Sequence, residues 1–234
     1  QGGGLGRRPP AVRQDGRVIT AASSESSSSP PLPPLGTTAV RAVLLDADGV
    51  LQLIGTPWYR ALSAGGGEAF ARALLSGEGP ALSGRESLRD LLERLVVELG
   101  LSKDADALMV LWRRATPDPP AWRLVRDLRA AGYLTVLATN QHEERREWMR
   151  TALGYDCLCD VDAYSCLLGA AKPDPDYFRA ALEMAGVGAG EALFVDDSAE
   201  NIVAATALGL RTLHHPTDAG GRVLRHGVVE ALSA

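Results

Sequence analysis

Ala42-Val43-Leu44-Leu45-Asp46-Ala47-Asp48-Gly49-Val50 is the stretch on which the reading of this chain turns. Its first four residues are uninterruptedly apolar, as in a strand buried on both faces of a parallel sheet. That strand runs straight into two carboxylates at i and i+2, which project to one side of an extended chain. Two unpaired carboxylates a few ångströms apart repel, so they need a cation or a shared proton. An Asp-rich loop after a strand also serves plain turn and capping chemistry, and this segment alone does not choose between the two.

Outward from it, short apolar runs alternate with helical patterns. Leu134–Ala138 and Ala192–Val195 read as further strands, and Leu210–Leu213 as a weaker fourth. The helices between them are predicted over Ala121–Ala131, from Gln141 to Gly154, over Asp174–Ala185 and over Ser198–Leu208, with Gly132, Gly154, Gly186 and Gly209 as stops. The pattern predicts an α/β fold, a Rossmann-like three-layer core around a parallel sheet. Each strand ends in a polar cluster, so chemistry gathers at the carboxyl edge, where open α/β sheets bind ligands.

Residues 52–120 break the alternation and read as all helix. Ser83 and Glu86 have the spacing of a capping box for a helix to Leu99, stopped by Gly100. Ser102 is placed to cap a next helix carrying Leu108, Val110, Leu111 and Trp112, and Gly65–Gly67 reads as a flexible loop. Gly55-Thr56-Pro57 and the Pro117–Pro120 connector are the expected hinges of an insert spanning 52–120, with the core made of 40–51 and 121–234.

Composition limits the rest. The 234 residues carry 24 basic and 29 acidic side chains, a net charge of −5 that argues against nucleic acid as a partner. No apolar run approaches the ~18 residues of a membrane-spanning helix, so no membrane is expected. The first forty residues hold six Ser, six Pro and six Gly, and residues 1–39 are expected to form a disordered low-complexity tail. The chain opens on Gln1 rather than Met, as a processed or cloned fragment would. Cys157, Cys159 and Cys166 are an odd number, read as reduced thiols in a cytoplasmic protein.

The sheet edge collects more candidates. Thr139-Asn140 follows the second strand, Lys172-Pro173-Asp174 precedes a helix, and Asp196-Asp197-Ser198 follows the third strand. Taken singly, Thr139 could be a helix cap, Lys172 a solvated surface residue and one of the Asp pair a cap. Jointly they fit one task. Four carboxylates, Asp46, Asp48, Asp196 and Asp197, would bind a hard cation such as Mg²⁺. Lys172 and Thr139 would supply positive charge and a donor to phosphate oxygens. Asp46 could then attack phosphorus, and Asp48 could protonate the leaving oxygen and later take a proton from water.

The ordered set DADGV, TN, KPDP and FVDDS resembles the haloacid dehalogenase superfamily of hydrolases over residues 42–213, closest to its subfamily I phosphatases. The resemblance implies Asp46 as nucleophile and Asp48 as general acid/base, with the phosphoryl group on Thr139 and Lys172 and Asn140 beside them. It implies Mg²⁺ on the Asp46 carboxylate, the Asp48 backbone carbonyl and Asp197, with Asp196 close by. It makes the 52–120 insert a helical cap that closes over a small phosphorylated metabolite, in a monomer or homodimer. Phosphatase is the leading reading. A phosphomutase of the β-phosphoglucomutase type is the alternative within the fold, and a non-catalytic binding protein the alternative outside enzymology. Carbon–halogen hydrolysis is disfavoured by the second Asp of the first motif. Where many relatives carry an acidic or hydroxyl residue after that motif, this chain has Gln52-Leu53-Ile54. His142, His214 and His215 are expected at the surface, Trp112, Trp122 and Trp148 in packing, and Trp58 beside the first hinge.

Overall fold

The computed structural model describes residues 30–234. Its strands in chain order are β1 (Ala42–Leu45), β2 (Gln52–Leu53), β3 (Thr116–Pro117), β4 (Leu134–Thr139), β5 (Val161–Tyr164), β6 (Ala192–Asp196) and β7 (Arg211–His214). β5-β4-β1-β6-β7 form one parallel sheet, while β2 and β3 pair antiparallel in a separate ribbon. β1 is buried throughout because parallel neighbours flank both its edges. Leu45 lies level with Leu137 of β4 and Val195 of β6, so the three strand ends open side by side.

The helices that matter to the core are α6 (Pro119–Ala130), α7 (Glu143–Leu153), α8 (Ser165–Leu168), α9 (Pro175–Ala185), α10 (Ala199–Ala207) and α11 (Gly221–Ser233). They follow five helices of the inserted segment, α1 (Trp58–Gly66), α2 (Glu68–Gly77), α3 (Gly79–Leu82), α4 (Leu88–Leu99) and α5 (Ala105–Met109). Strand alternation divides the core into two faces. Val43 and Leu45 pack with Leu124, Leu128, Met149 and Leu224 on one side, and Ala42 and Leu44 with Tyr177, Phe178 and Ala205 on the other. These are the three layers expected. The inserted helices bury a cluster of their own around Leu62, Phe70, Leu74, Leu91, Leu92 and Trp112.

Several boundaries differ from the sequence reading for identifiable reasons. Residues 1–29 of the expected tail lie outside the described residues, but 30–39 lie against the core. Tyr133 Oη donates to the Pro33 carbonyl at 3.0 Å, Arg225 Nε donates to the Pro30 carbonyl at 3.1 Å, and Leu32 packs on the apolar cluster. The prolines stiffen this stretch, and Leu32 gives it an anchor that bulk composition hides. α6 starts at Pro119 because a proline in the first helical turn removes an N–H that would have no partner anyway.

In the insert, α4 is capped by Ser87, whose side chain accepts from Asp90 N, not by Ser83. The Ser83 hydroxyl instead donates back to Gly79 and Pro80 carbonyls and closes α3. α5 is capped by Asp104 rather than Ser102 and gives way to a tighter turn over Val110–Trp112. Gly65 and Gly66 finish α1 instead of forming a free loop. The segment 52–120, which reads as all helix, also holds the two-residue strands β2 and β3 at its ends, and β5 is a four-residue edge strand with Asp162 inside it, too short and polar to announce itself.

Candidate active site

Lys172 lies beneath the ends of three strands. Its ammonium donates to Asp46 Oδ1 at 2.7 Å, to Asp196 Oδ2 at 2.6 Å and to the Ala138 carbonyl at 2.7 Å. Burial alone would discharge this amine, but the facing carboxylates of Asp46 and Asp196 win and push its pKa up. Asn140 clamps the lysine's main chain from both sides: its Nδ2 donates to the Lys172 carbonyl, and Lys172 N donates to its Oδ1, each at 2.8 Å. Expected beside a phosphate, Asn140 thus has its side chain engaged in fixing the loop that delivers Lys172. Asp174, next along, caps α9 through Asp176 N.

Asp46, Asp196 and Asp197 each present an oxygen within 4.8 Å of the others. Burial raises the pKa of Asp46, as do the nearby Asp196 and Asp197, with Lys172 acting against them. Burial raises Asp197 too, opposed by the hydroxyl of Thr217, which donates to its Oδ2 at 2.7 Å. Asp196 Oδ1 accepts from Ser198 N at 2.8 Å and Asn201 Nδ2 at 3.0 Å. Asp197 can come this close only because position 49 is glycine. At φ +78°, a Cβ there would sit 2.4 Å from Asp197 Oδ2. Three carboxylates against one ammonium leave an excess of negative charge, and an all-oxygen donor set suits a hard divalent cation of the Mg²⁺ kind.

Asp48 does not join that group through its carboxylate. Arg145, on α7, grips it with two bonds, NH1 to Oδ2 at 2.6 Å and NH2 to Oδ1 at 2.7 Å. Gln52 Nε2 adds a third at 2.7 Å, and the Gln52 amide is fixed in turn by Tyr155, whose hydroxyl donates to Gln52 Oε1 at 3.1 Å. Burial works to raise the Asp48 pKa, but Arg145 and Gln52 outweigh it and hold the carboxyl below its usual range. Gln52, which stands where many relatives place an acid or hydroxyl, is therefore a buried support for Asp48. Thr139 is buried at the end of β4, its hydroxyl accepting from Gln141 Nε2 at 3.0 Å.

These residues line one cavity of about 240 Å³ whose opposite wall comes from the inserted helices: Trp58, Leu62, Leu74, Leu75, Leu82 and Trp112. Several of its members are not evident from the sequence, Arg145 and His142 foremost. Arg145 sits inside a charged helical run, EERREW, that reads as a solvated face, yet it is 3% exposed and its guanidinium lies 4.7 Å from the Trp58 ring centre. His142, expected at the surface, is buried edge-on to Trp112 with Nε2 3.3 Å from Glu78 Oε2, because the inserted helices cover it. Trp112 packs, as expected, but also faces the cavity.

His214 is exposed and its Nε2 meets the Asp197 carbonyl at 2.9 Å. His215 is buried, its backbone N–H donating to the Asp196 carbonyl at 2.9 Å, so the extended chain turns one ring in and the other out. The three cysteines are unpaired. Among the described residues, no helix is long and apolar enough to cross a membrane.

The chain is similar in sequence and in fold to several known proteins. A sesquiterpene phosphatase of Aspergillus oryzae is 33% identical over 98 residues, covering 42% of this chain and 50% of its own length. A phosphatase of Mycobacterium tuberculosis is 33% identical over 154 residues, covering 64% of this chain and 69% of its own. Haloacid dehalogenases are also among the similar proteins. In fold, the chain is similar to a HAD family enzyme of Bacteroides thetaiotaomicron solved with magnesium and inorganic phosphate. The TM-score is 0.63 at 22% identity, over 76% of this chain and 95% of that one. Residues 40–209 match the haloacid dehalogenase-like hydrolases as a family, and the chain belongs to it.

Proposed function

We propose that this hydrolase is a Mg²⁺-dependent phosphatase of small phosphorylated metabolites working through an aspartyl-phosphate. The observation that carries the reading is the Asp46–Asp196–Asp197 oxygen cluster set directly on the buried Lys172 ammonium. The phosphatase relatives and the magnesium and phosphate bound by the fold neighbour support it.

Lys172 takes up Asp46 Oδ1 and so orients the carboxylate, while Oδ2 has no hydrogen bond among the described residues and is the oxygen we assign to attack. That attack forms an Asp46 O–P bond and breaks the bond from phosphorus to the leaving oxygen, which takes a proton from Asp48 as it departs and leaves Asp48 as the carboxylate that Arg145 favours. Water then cleaves the aspartyl-phosphate, regenerating Asp46 and releasing inorganic phosphate. Asp48, held ionised by Arg145, is in the state that accepts a proton from that water. Thr139 and Lys172 would steady the phosphoryl oxygens. A divalent cation on Asp46, Asp197 and the Asp48 carbonyl, with Asp196 behind, would screen phosphate from carboxylate. The inserted segment, residues 52–120, would act as the cap that excludes water.

Asp46→Asn is expected to abolish release of phosphate from an aryl phosphate without altering the circular dichroism spectrum. Excess chelator should silence the wild type, and added Mg²⁺ should restore it. Unchanged turnover in Asp46→Asn would refute the nucleophile assignment. A requirement for a sugar bisphosphate activator would instead point to the mutase.

A further inference from the structure

We infer that the leaving group this site accepts is a compact apolar alcohol or phenol, about the size of one ring or a six-carbon chain. The inference rests on the phosphatase reading for the anionic end of the substrate and deepens it at the other end.

The argument starts from which lining groups are free. Nearly all polar side chains facing the cavity are already committed: Gln141 to Thr139, Arg145 to Asp48, Asn140 to Lys172 and Asn201 to Asp196. Glu78 and His142 lie 3.3 Å apart, but His142 Nε2 makes no hydrogen bond, so this one pair stays polar and unsatisfied beside the wall. What remains open to a ligand beyond the phosphoryl position is the wall of Trp58, Leu62, Leu74, Leu75, Leu82 and Trp112. A polyol pressed on that wall would lose water from several hydroxyls with only the His142–Glu78 pair to receive one, and each uncompensated loss costs about 1–3 kcal/mol. An alkyl or aryl group loses nothing there and gains contact with two indoles and four leucines. Glu78 adds a repulsion against any second anionic group on the substrate.

Size narrows the class. The whole cavity is about 240 Å³, and an apolar cavity of roughly 150 Å³ suffices for a benzene ring. Beside a phosphoryl group, one ring or a short chain is what the sheltered part of the cavity holds in contact with the apolar wall.

The test compares hexyl phosphate with glycerol 3-phosphate, whose leaving groups are both simple alcohols, and adds phenyl phosphate and glucose 6-phosphate, all with Mg²⁺. Hexyl phosphate is expected to exceed both polyol esters in kcat/KM by about tenfold or more, the scale on which apolar pockets discriminate. Leu75→Glu, at a position 41% exposed and so tolerant of charge, should erase most of that preference without lowering the melting temperature. Calorimetric titration with hexylphosphonate and 2,3-dihydroxypropylphosphonate reads the same preference without turnover. Equal or better use of the polyol esters, or a preference that survives Leu75→Glu, overturns the inference and leaves the phosphatase reading intact. Selective binding of hexylphosphonate with no ester hydrolysed overturns the phosphatase reading and upholds the pocket assignment.

Discussion

Asp48 and Arg145 pose the sharpest question at the scale of single residues. A carboxylate assigned to move protons is held in two hydrogen bonds by a guanidinium that is 3% exposed, and that grip favours the ionised form. In this state Asp48 is ready as a base and reluctant as an acid, so esters whose leaving group departs without a proton should be favoured. Arg145→Gln would remove the grip and let the Asp48 pKa rise, because burial then acts with less opposition. Removing one member of a buried pair commonly costs about 3–5 kcal/mol, and Trp58 would lose the cation beside its ring as well. The variant is therefore expected to unfold at clearly lower urea concentration. It should also hydrolyse phenyl phosphate with a smaller handicap relative to p-nitrophenyl phosphate. A leaving-group dependence identical to the wild type would show that Arg145 does not govern the proton on Asp48.

Between elements, two contacts made by side chains distant in sequence carry measurable consequences. Glu144 on α7 accepts from the backbone N–H groups of Leu88 and Arg89 at 3.2 and 3.1 Å, so a core side chain caps the first turn of α4 in the insert. Glu144→Ala leaves those donors without this partner, at a cost of about 1 kcal/mol. Faster amide exchange confined to the start of α4 is the expected sign, and unchanged exchange there would remove the latch. Asp160, just before β5, accepts from Thr135 N at 2.9 Å, Thr135 Oγ1 at 2.8 Å and Arg129 Nε at 2.8 Å. Burial opposes these bonds, but they prevail and lower its pKa below the ordinary 3.8. A carboxyl depressed in the folded state stabilises fully above its unfolded pKa, and that contribution disappears as pH falls through the folded value. Asp160→Asn should thus lose about 1 kcal/mol at pH 7, discounted for partial exposure, and the gap to wild type in urea melts should narrow as pH falls below the ordinary carboxyl range. A gap independent of pH would exclude the ionised form as the cause. Sequence legibility follows the same division. β1, β4 and β6 announce themselves because burial on two faces demands nearly continuous apolar runs, and their polar ends point to Asp46, Thr139 and Asp196. Ser87 over Ser83, the β2–β3 ribbon, the burial of His142 and the turn of Arg145 inward depend on which elements meet. No local pattern encodes that meeting.

For the molecule as a whole, the parallel sheet and the helical insert contribute opposite walls to one cavity, and the acidic floor of that cavity is under-neutralised by protein groups alone. Asp46, Asp196 and Asp197 share the one ammonium of Lys172, so a divalent cation taken up there should stabilise the folded state, in which the three oxygens converge, over the unfolded chain, in which they do not. Any ligand selective for the folded state adds RT ln(1 + [L]/Kd), about 2.7 kcal/mol at a hundredfold excess over Kd. For a chain of this size that is a rise of roughly 5–10 °C in melting temperature. Phosphate should add to the shift only when Mg²⁺ is present, since without it the anion meets carboxylates at close range. Asp197→Asn removes one oxygen charge held in place by Thr217 while leaving the Lys172 contacts untouched, so the protein should still fold. In that variant the Mg²⁺ shift should shrink to a small fraction of the wild-type value and the phosphate increment should vanish with it. A full Mg²⁺ shift retained by Asp197→Asn would locate the cation elsewhere on the molecule and detach the acidic cluster from the chemistry assigned to it.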